Sequence, residues 1–228
     1  MKRSQINALI DEAQQFIRSY QFLLPPFADW TPADWAEKGH ECDEIRDNQL
    51  GWDITDFGSG NFEKVGLTLF CIRNGNQKQP EKYPKPYAEK IMISREEQVC
   101  PLHFHWHKRE DIINRGGGTL VMQLYASDAG EQLSETLPVR VVSDGVAMTL
   151  PAGTLLELQP GQSVTMTPGL YHAFWAKAGG GPVLVGEVSQ CNDDANDNRF
   201  WQPTGRFPAI EEDVPATRLL CTEYPAAK

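Results

Sequence analysis

VCPLHFHWHKREDIINRGGGTLVMQLYA, residues 99–126, holds two short runs, VCPLHFH and GTLVMQLYA, whose apolar, β-branched and aromatic residues mark strands. The glycines Gly116 to Gly118 between them make a turn. The same pattern extends outward in both directions. GLTLFCI (66–72) and EKIMIS (89–94) precede this stretch, and VRVVS (139–143), GVAMTL (145–150), TLLELQ (154–159), QSVTMTP (162–168), YHAFWA (171–176) and PVLVGEVS (182–189) follow it. Gly, Pro, Asp and Asn separate the runs at a spacing of roughly ten residues, which describes an antiparallel sandwich or barrel rather than βαβ units. The middle of the chain is therefore mainly β.

Ahead of the strands, Ile6, Leu9, Ile10, Ala13 and Ile17 fall on one stripe of a helix, with Ser4 as its expected N-cap. Thr31, Pro32 and Asp34 supply the cap, first-turn proline and early acid of a second helix, expected over 32–44. Beyond Cys191 the chain is polar, and Pro203, Pro208, Pro215 and Pro225 prevent a long regular element. The expectation is a single domain in three parts: an N-terminal helical extension (1–60) packed on a barrel, the barrel itself (61–190), and a C-terminal segment (191–228) wrapped around it.

Composition excludes several classes of function. The 228 residues are 40% hydrophobic and 23% charged, ordinary values for a globular chain. With 21 Lys and Arg against 31 Asp and Glu, the net charge of -10 repels a phosphate backbone, so neither nucleic acid nor an anionic membrane is an expected partner. No stretch of about 18 apolar residues occurs, and the charged N-terminus does not read as a signal peptide. Five scattered cysteines without a C-x-x-C pair read as free thiols in a reducing compartment, so the cytoplasm is expected.

Histidine placement carries the chemistry. The chain has five histidines; His103, His105 and His107 lie together, Glu110 follows, and His172 opens a later strand after a Pro-Gly turn. Strand side chains alternate, so His103 and His105 project from one face, while the residues before Glu110 turn a corner and return a carboxylate. The arrangement H-x-H-x4-E…P-G-x2-H gives three imidazoles and one carboxylate, a ligand set for a divalent cation with open positions for substrate oxygens. His107, at the strand end, is expected behind the ligands or against substrate.

HFHWHKREDIINRGG (103–117) resembles the first cupin motif and PGLYH (168–172) the second, which implies a cupin double-stranded β-helix, or jelly-roll barrel. In the second motif proline directly precedes glycine, and alanine rather than asparagine stands four residues after His172. The longer context, HKREDIINRGGGTLVMQLY with LGWDITDFGSGNFEKVGLTLF upstream and GEVSQCNDDANDNRFW downstream, resembles the cupin-type D-lyxose isomerases over nearly the whole chain. That resemblance implies a divalent metal, usually manganese, interconversion of D-lyxose with D-xylulose and D-mannose with D-fructose, and a homodimer.

Aldose isomerisation by an enediol requires a base between C1 and C2 and positive charge beside the two oxygens. Glu187, the one ionisable residue in PVLVGEVS, is the expected base. Lys108 and, less centrally, Lys90 are the expected electrostatic partners, meeting the enediolate or a sugar hydroxyl. In CNDDANDNRF, the acids Asp193, Asp194 and Asp197 do not fit an EF-hand and are expected to bind sugar hydroxyls. Trp106 and Trp175 neighbour the ligands and are candidates for an apolar sugar platform. The same ligand set also suits an acireductone-type cupin dioxygenase or a non-catalytic sugar-binding cupin. GSGNFEKVG (58–66) lacks the spacing and following helix of a dinucleotide site.

Overall fold

A computed structural model describes residues 1–228. Helix α1 (Arg3–Ser19) opens the chain, followed by two short helices, α2 (Pro32–Trp35) and α3 (Asp43–Asp47). The strands are β1 (Gly51–Thr55), β2 (Leu67–Arg73), β3 (Tyr87–Ser94), β4 (Cys100–Phe104), β5 (Glu110–Gly117), β6 (Leu120–Ser127) and β7 (Leu133–Ser134), then β8 (Val139–Ser143), β9 (Val146–Leu150), β10 (Thr154–Leu158), β11 (Ser163–Met166), β12 (Leu170–Ala176), β13 (Val183–Gln190) and β14 (Arg199–Phe200). All pair antiparallel in two sheets. The larger runs β1-β2-β3-β13-β5-β11-β8-β9; the smaller runs β10-β6-β12-β4-β14, with β7 added beside β6. This is the mainly β, two-sheet barrel that the cupin resemblance implies.

Each of the ten apolar runs forms a strand, and the structure adds β1, β5, β7 and β14. The N-terminal 60 residues are thus not purely helical, because β1 pairs with β2 and extends the larger sheet. The second helix is one turn long. Its cap forms as expected, with Thr31 and Asp34 in a reciprocal capping box, but the chain is extended at Gly39 and resumes as separate short turns. Ser4 does not cap α1; the helix begins at Arg3, and Ser4 N–H and Oγ both donate to Asp213 of the C-terminal segment.

Side-chain alternation gives the larger sheet two buried faces. On β2, β3 and β13, Leu67, Leu69, Cys71, Met92, Val183 and Val185 point between the sheets. Phe70, Ile72, Ile91, Ile93 and Leu184 point outward, where α1 covers them with Ile6, Leu9, Ile10, Ala13 and Ile17. Burying an isoleucine fully stabilises by about 1.5–3 kcal/mol, so packing rather than helix propensity holds α1 in place. The glycine turn between β5 and β6 is required at Gly117, where φ is +99° and a Cβ would collide with the Pro182 carbonyl.

Candidate active site

The inward positions of both sheets meet in one cavity. On the larger sheet Glu187 (β13) pairs directly with Lys90 (β3), and Glu110 opens β5 opposite Ser189. On the smaller sheet His172 (β12) pairs directly with His103 (β4). His105 lies just beyond the end of β4, and the turn through residues 106–109 brings Lys108 inward. The resulting cavity has Leu67, Leu69, Met92, Ile112 and Phe174 as its apolar lining.

His103, His105 and His172 each place a ring nitrogen within 4.8 Å of the other two. Every Nδ1 faces a carbonyl: Pro101 O at 2.7 Å, Asp197 O at 2.8 Å and Leu170 O at 3.0 Å respectively. A carbonyl only accepts, so in the neutral form of each ring Nδ1 carries the proton and Nε2 presents a lone pair. Burial, reinforced by the neighbouring imidazoles of His172 and His105, holds the His103 ring well below the ordinary histidine value. Glu110 Oε1 lies 3.0 Å from His172 Nε2 and 3.3 Å from His105 Nε2, and it has no hydrogen-bond donor. Three imidazole nitrogens and a carboxylate oxygen that converge in a buried site form an N/O donor set that fits a divalent metal.

The remaining charges form a buried network. Lys108 Nζ donates to Glu187 Oε1 (2.9 Å) and Asn192 Oδ1 (3.0 Å) and forms an ion pair with Glu110 Oε2 at 2.5 Å. Burial opposes its charge, but Glu110, Glu187 and Asp194 outweigh burial and hold the ammonium above the ordinary lysine value. Lys90 Nζ stands 3.3 Å from Asp194 Oδ1 and 3.7 Å from Glu187 Oε1 and is likewise raised against the effect of burial. Burial pushes the Glu110 carboxyl up; Lys108 and His105 overcome it and keep the group ionised well below the usual carboxylate range. Asp194 is held low in the same way by Lys90 and Arg206. Arg206 donates to Asp53 Oδ2 (2.6 Å) and Asp194 Oδ2 (3.0 Å). Three cations, Lys90, Lys108 and Arg206, pair with four carboxylates, Asp53, Glu110, Glu187 and Asp194, in one network.

Of the acids of the 191–198 loop, Asp194 lines the cavity. Asp193 turns outward to Lys78 at 2.7 Å, and Asp197 is buried against backbone N–H groups, so neither lines that cavity. The His107 ring is exposed. Trp106 is exposed and bonded to Glu131, and alternation turns Trp175 to the opposite face of β12 from His172 and Phe174. Sequence reasoning missed Asp53, Arg206 and Asn192. Asp53 carries the same signal as Glu187, a lone acid in an apolar strand, whereas nothing local distinguishes Arg206.

The sequence model of the D-lyxose isomerase family matches residues 1–224. The chain belongs to the D-lyxose isomerase family. It is 51% identical over 225 residues to the D-lyxose/D-mannose isomerases of Escherichia coli O157:H7 and Serratia proteamaculans, covering 98% of this chain and of each relative. It shares its fold with Cellulomonas parahominis L-ribose isomerase at a TM-score of 0.60 and 19% identity, over 92% of this chain and 98% of that one. Within the D-lyxose isomerase family, therefore, this chain places three imidazoles, three carboxylates and three fixed cations around one cavity between two sheets.

Proposed function

We propose that this protein interconverts D-lyxose with D-xylulose, and D-mannose with D-fructose, using a divalent cation, manganese, held by His103, His105, Glu110 and His172. The observation that carries the reaction type is the placement of Glu187, 4% exposed, in the cavity wall beside the histidine cluster. Lys108, Lys90 and Ser189 all approach its Oε1, leaving Oε2 without a hydrogen-bond partner in the protein. Both lysines are held as ammonium groups, so neither is the base. Glu187 takes the proton from C2 of the open-chain aldose and returns it to C1, while the O2 hydroxyl proton of the enediolate passes to O1, and the reverse direction exchanges these roles. When bound, the cation supplies positive charge beside O1 and O2 as negative charge develops there. Lys108 keeps Glu187 and Glu110 in register by pairing with both, and Asp194, fixed by Lys90 and Arg206, receives sugar hydroxyls at the far wall.

Membership of the isomerase family favours this reading over the dioxygenase and the non-catalytic sugar binder, whose ligand set is the same. All five cysteines are free thiols, in keeping with a cytoplasmic protein, and no helix is long and apolar enough to cross a membrane. We expect a homodimer, which light scattering tests directly. For the reaction, metal-stripped protein is incubated with D-lyxose or D-mannose in deuterated water, with and without added manganese. Ketose formed only with metal, carrying solvent deuterium at C1, is the expected result. Turnover that consumes dissolved oxygen stoichiometrically overturns the isomerase reading, and turnover without deuterium incorporation replaces the Glu187 route with a hydride shift.

A further inference from the structure

Asp197 makes three bonds to the loop that carries the metal-site residues. Its Oδ1 accepts the backbone N–H of His107 at 2.9 Å, its Oδ2 accepts the backbone N–H of Lys108 at 3.0 Å, and its carbonyl oxygen accepts His105 Nδ1 at 2.8 Å. The carboxylate is the one acceptor for both amides, and the residue is buried. We infer that Asp197 is a positioning residue, touching neither cation nor sugar, that clamps residues 105–108 so that His105 Nε2 and Lys108 Nζ reach the cavity together. The carbonyl bond fixes the tautomer and aim of His105, and the two side-chain bonds fix the backbone from which Lys108 spans Glu110 and Glu187. Because Asp197 belongs to the same loop as Asp194, it also ties the metal side of the cavity to the sugar side.

The part of this inference that concerns affinity rests on the proposed cation site, whereas the clamp itself does not. Two variants test it: Asp197→Ala, which removes both acceptors, and Asp197→Asn, which keeps the volume but turns an N–H donor toward one of the two amides. In metal-free protein, hydrogen exchange of the 105–109 amides is expected to accelerate in both variants while strands β3 and β13 keep wild-type protection. Cobalt binding is expected to weaken by roughly 10- to 100-fold, the usual effect of removing a group that orients a metal ligand. At saturating cobalt the visible absorption bands should match wild type, because the ligands themselves are unchanged. Wild-type exchange and wild-type affinity in both variants overturn the inference, and altered bands at saturation make Asp197 a ligand instead. If the wild-type protein takes up no cobalt, the cation reading fails, and exchange of the 105–109 amides alone upholds or overturns the clamp.

Discussion

Glu187 differs from the other carboxylates around the cavity in having one oxygen engaged and the other facing neither a donor nor an imidazole. Glu110 pairs with Lys108 through Oε2 and turns Oε1 to the imidazoles, while Asp194 is held through both oxygens by Lys90 and Arg206. Glu187→Gln preserves size and hydrogen bonding but cannot accept a carbon-bound proton, so kcat should fall by a factor on the order of 10² to 10⁴ with metal content and KM nearly unchanged. Steady-state kinetics with metal analysis decides this, and wild-type turnover removes Glu187 from the mechanism. Lys108→Ala acts differently, because it leaves Glu110 and Glu187 buried without the cation between them. Stability should fall by about 3–5 kcal/mol and both kcat and KM should worsen. In the double variant the two kinetic losses should add to less than their sum, since both act on the same carboxylate. Full additivity would mean that Lys108 does not work through Glu187.

The strands were legible in the sequence because a half-buried or doubly buried strand writes its environment into its own alternation. GLTLFCI and PVLVGEVS read correctly since each residue's neighbours lie across a ladder whose apolar requirement is local. Histidine pairing was legible for the same reason: a two-residue spacing on one strand is geometry the sequence carries. What alternation does not carry is a polar contact from another part of the chain. Ser4 has the right chemistry for a cap but bonds Asp213 instead. Asp197 looked like its neighbours Asp193 and Asp194 because its partners, the amides of His107 and Lys108, leave no mark in side-chain identity. At the scale of elements, α1 and the cavity lie on opposite faces of β2 and β3, so damage to one need not reach the other. Ile10→Ala, at a fully buried position, should cost about 2–5 kcal/mol in urea denaturation while kcat at 25 °C stays at the wild-type value. A matching loss of kcat in fully folded protein would show that α1 shapes the site.

The two ends of the chain close the molecule through ion pairs. Arg3, almost fully buried on α1, is bonded by Glu212 and Glu223 of the C-terminal segment, and Arg206 of the same segment enters the cavity wall between Asp53 and Asp194. The final segment is thus part of the site as well as a wrapping, which its prolines and polar residues did not disclose. Arg206→Met tests this, keeping apolar bulk while removing the charge. It leaves two buried carboxylates short of a cation, so the variant should be about 3–5 kcal/mol less stable than wild type at pH 7. The pH dependence separates lost charge from lost packing. Asp194 is held below the ordinary aspartate value in the native protein, with Lys90 and Arg206 as the stabilising partners. A depressed carboxylate contributes stability that is fully present above its unfolded value of about 3.9 and is lost as pH falls through that value toward the native one. Wild type therefore loses this contribution on acidification, while the variant, with less depression, has less to lose. The difference in urea midpoint between the two proteins should narrow as pH falls from about 5 to about 3. A constant difference over that range would assign the loss to packing of the Arg206 side chain, and the ion pair with Asp194 would then contribute nothing to closing the cavity.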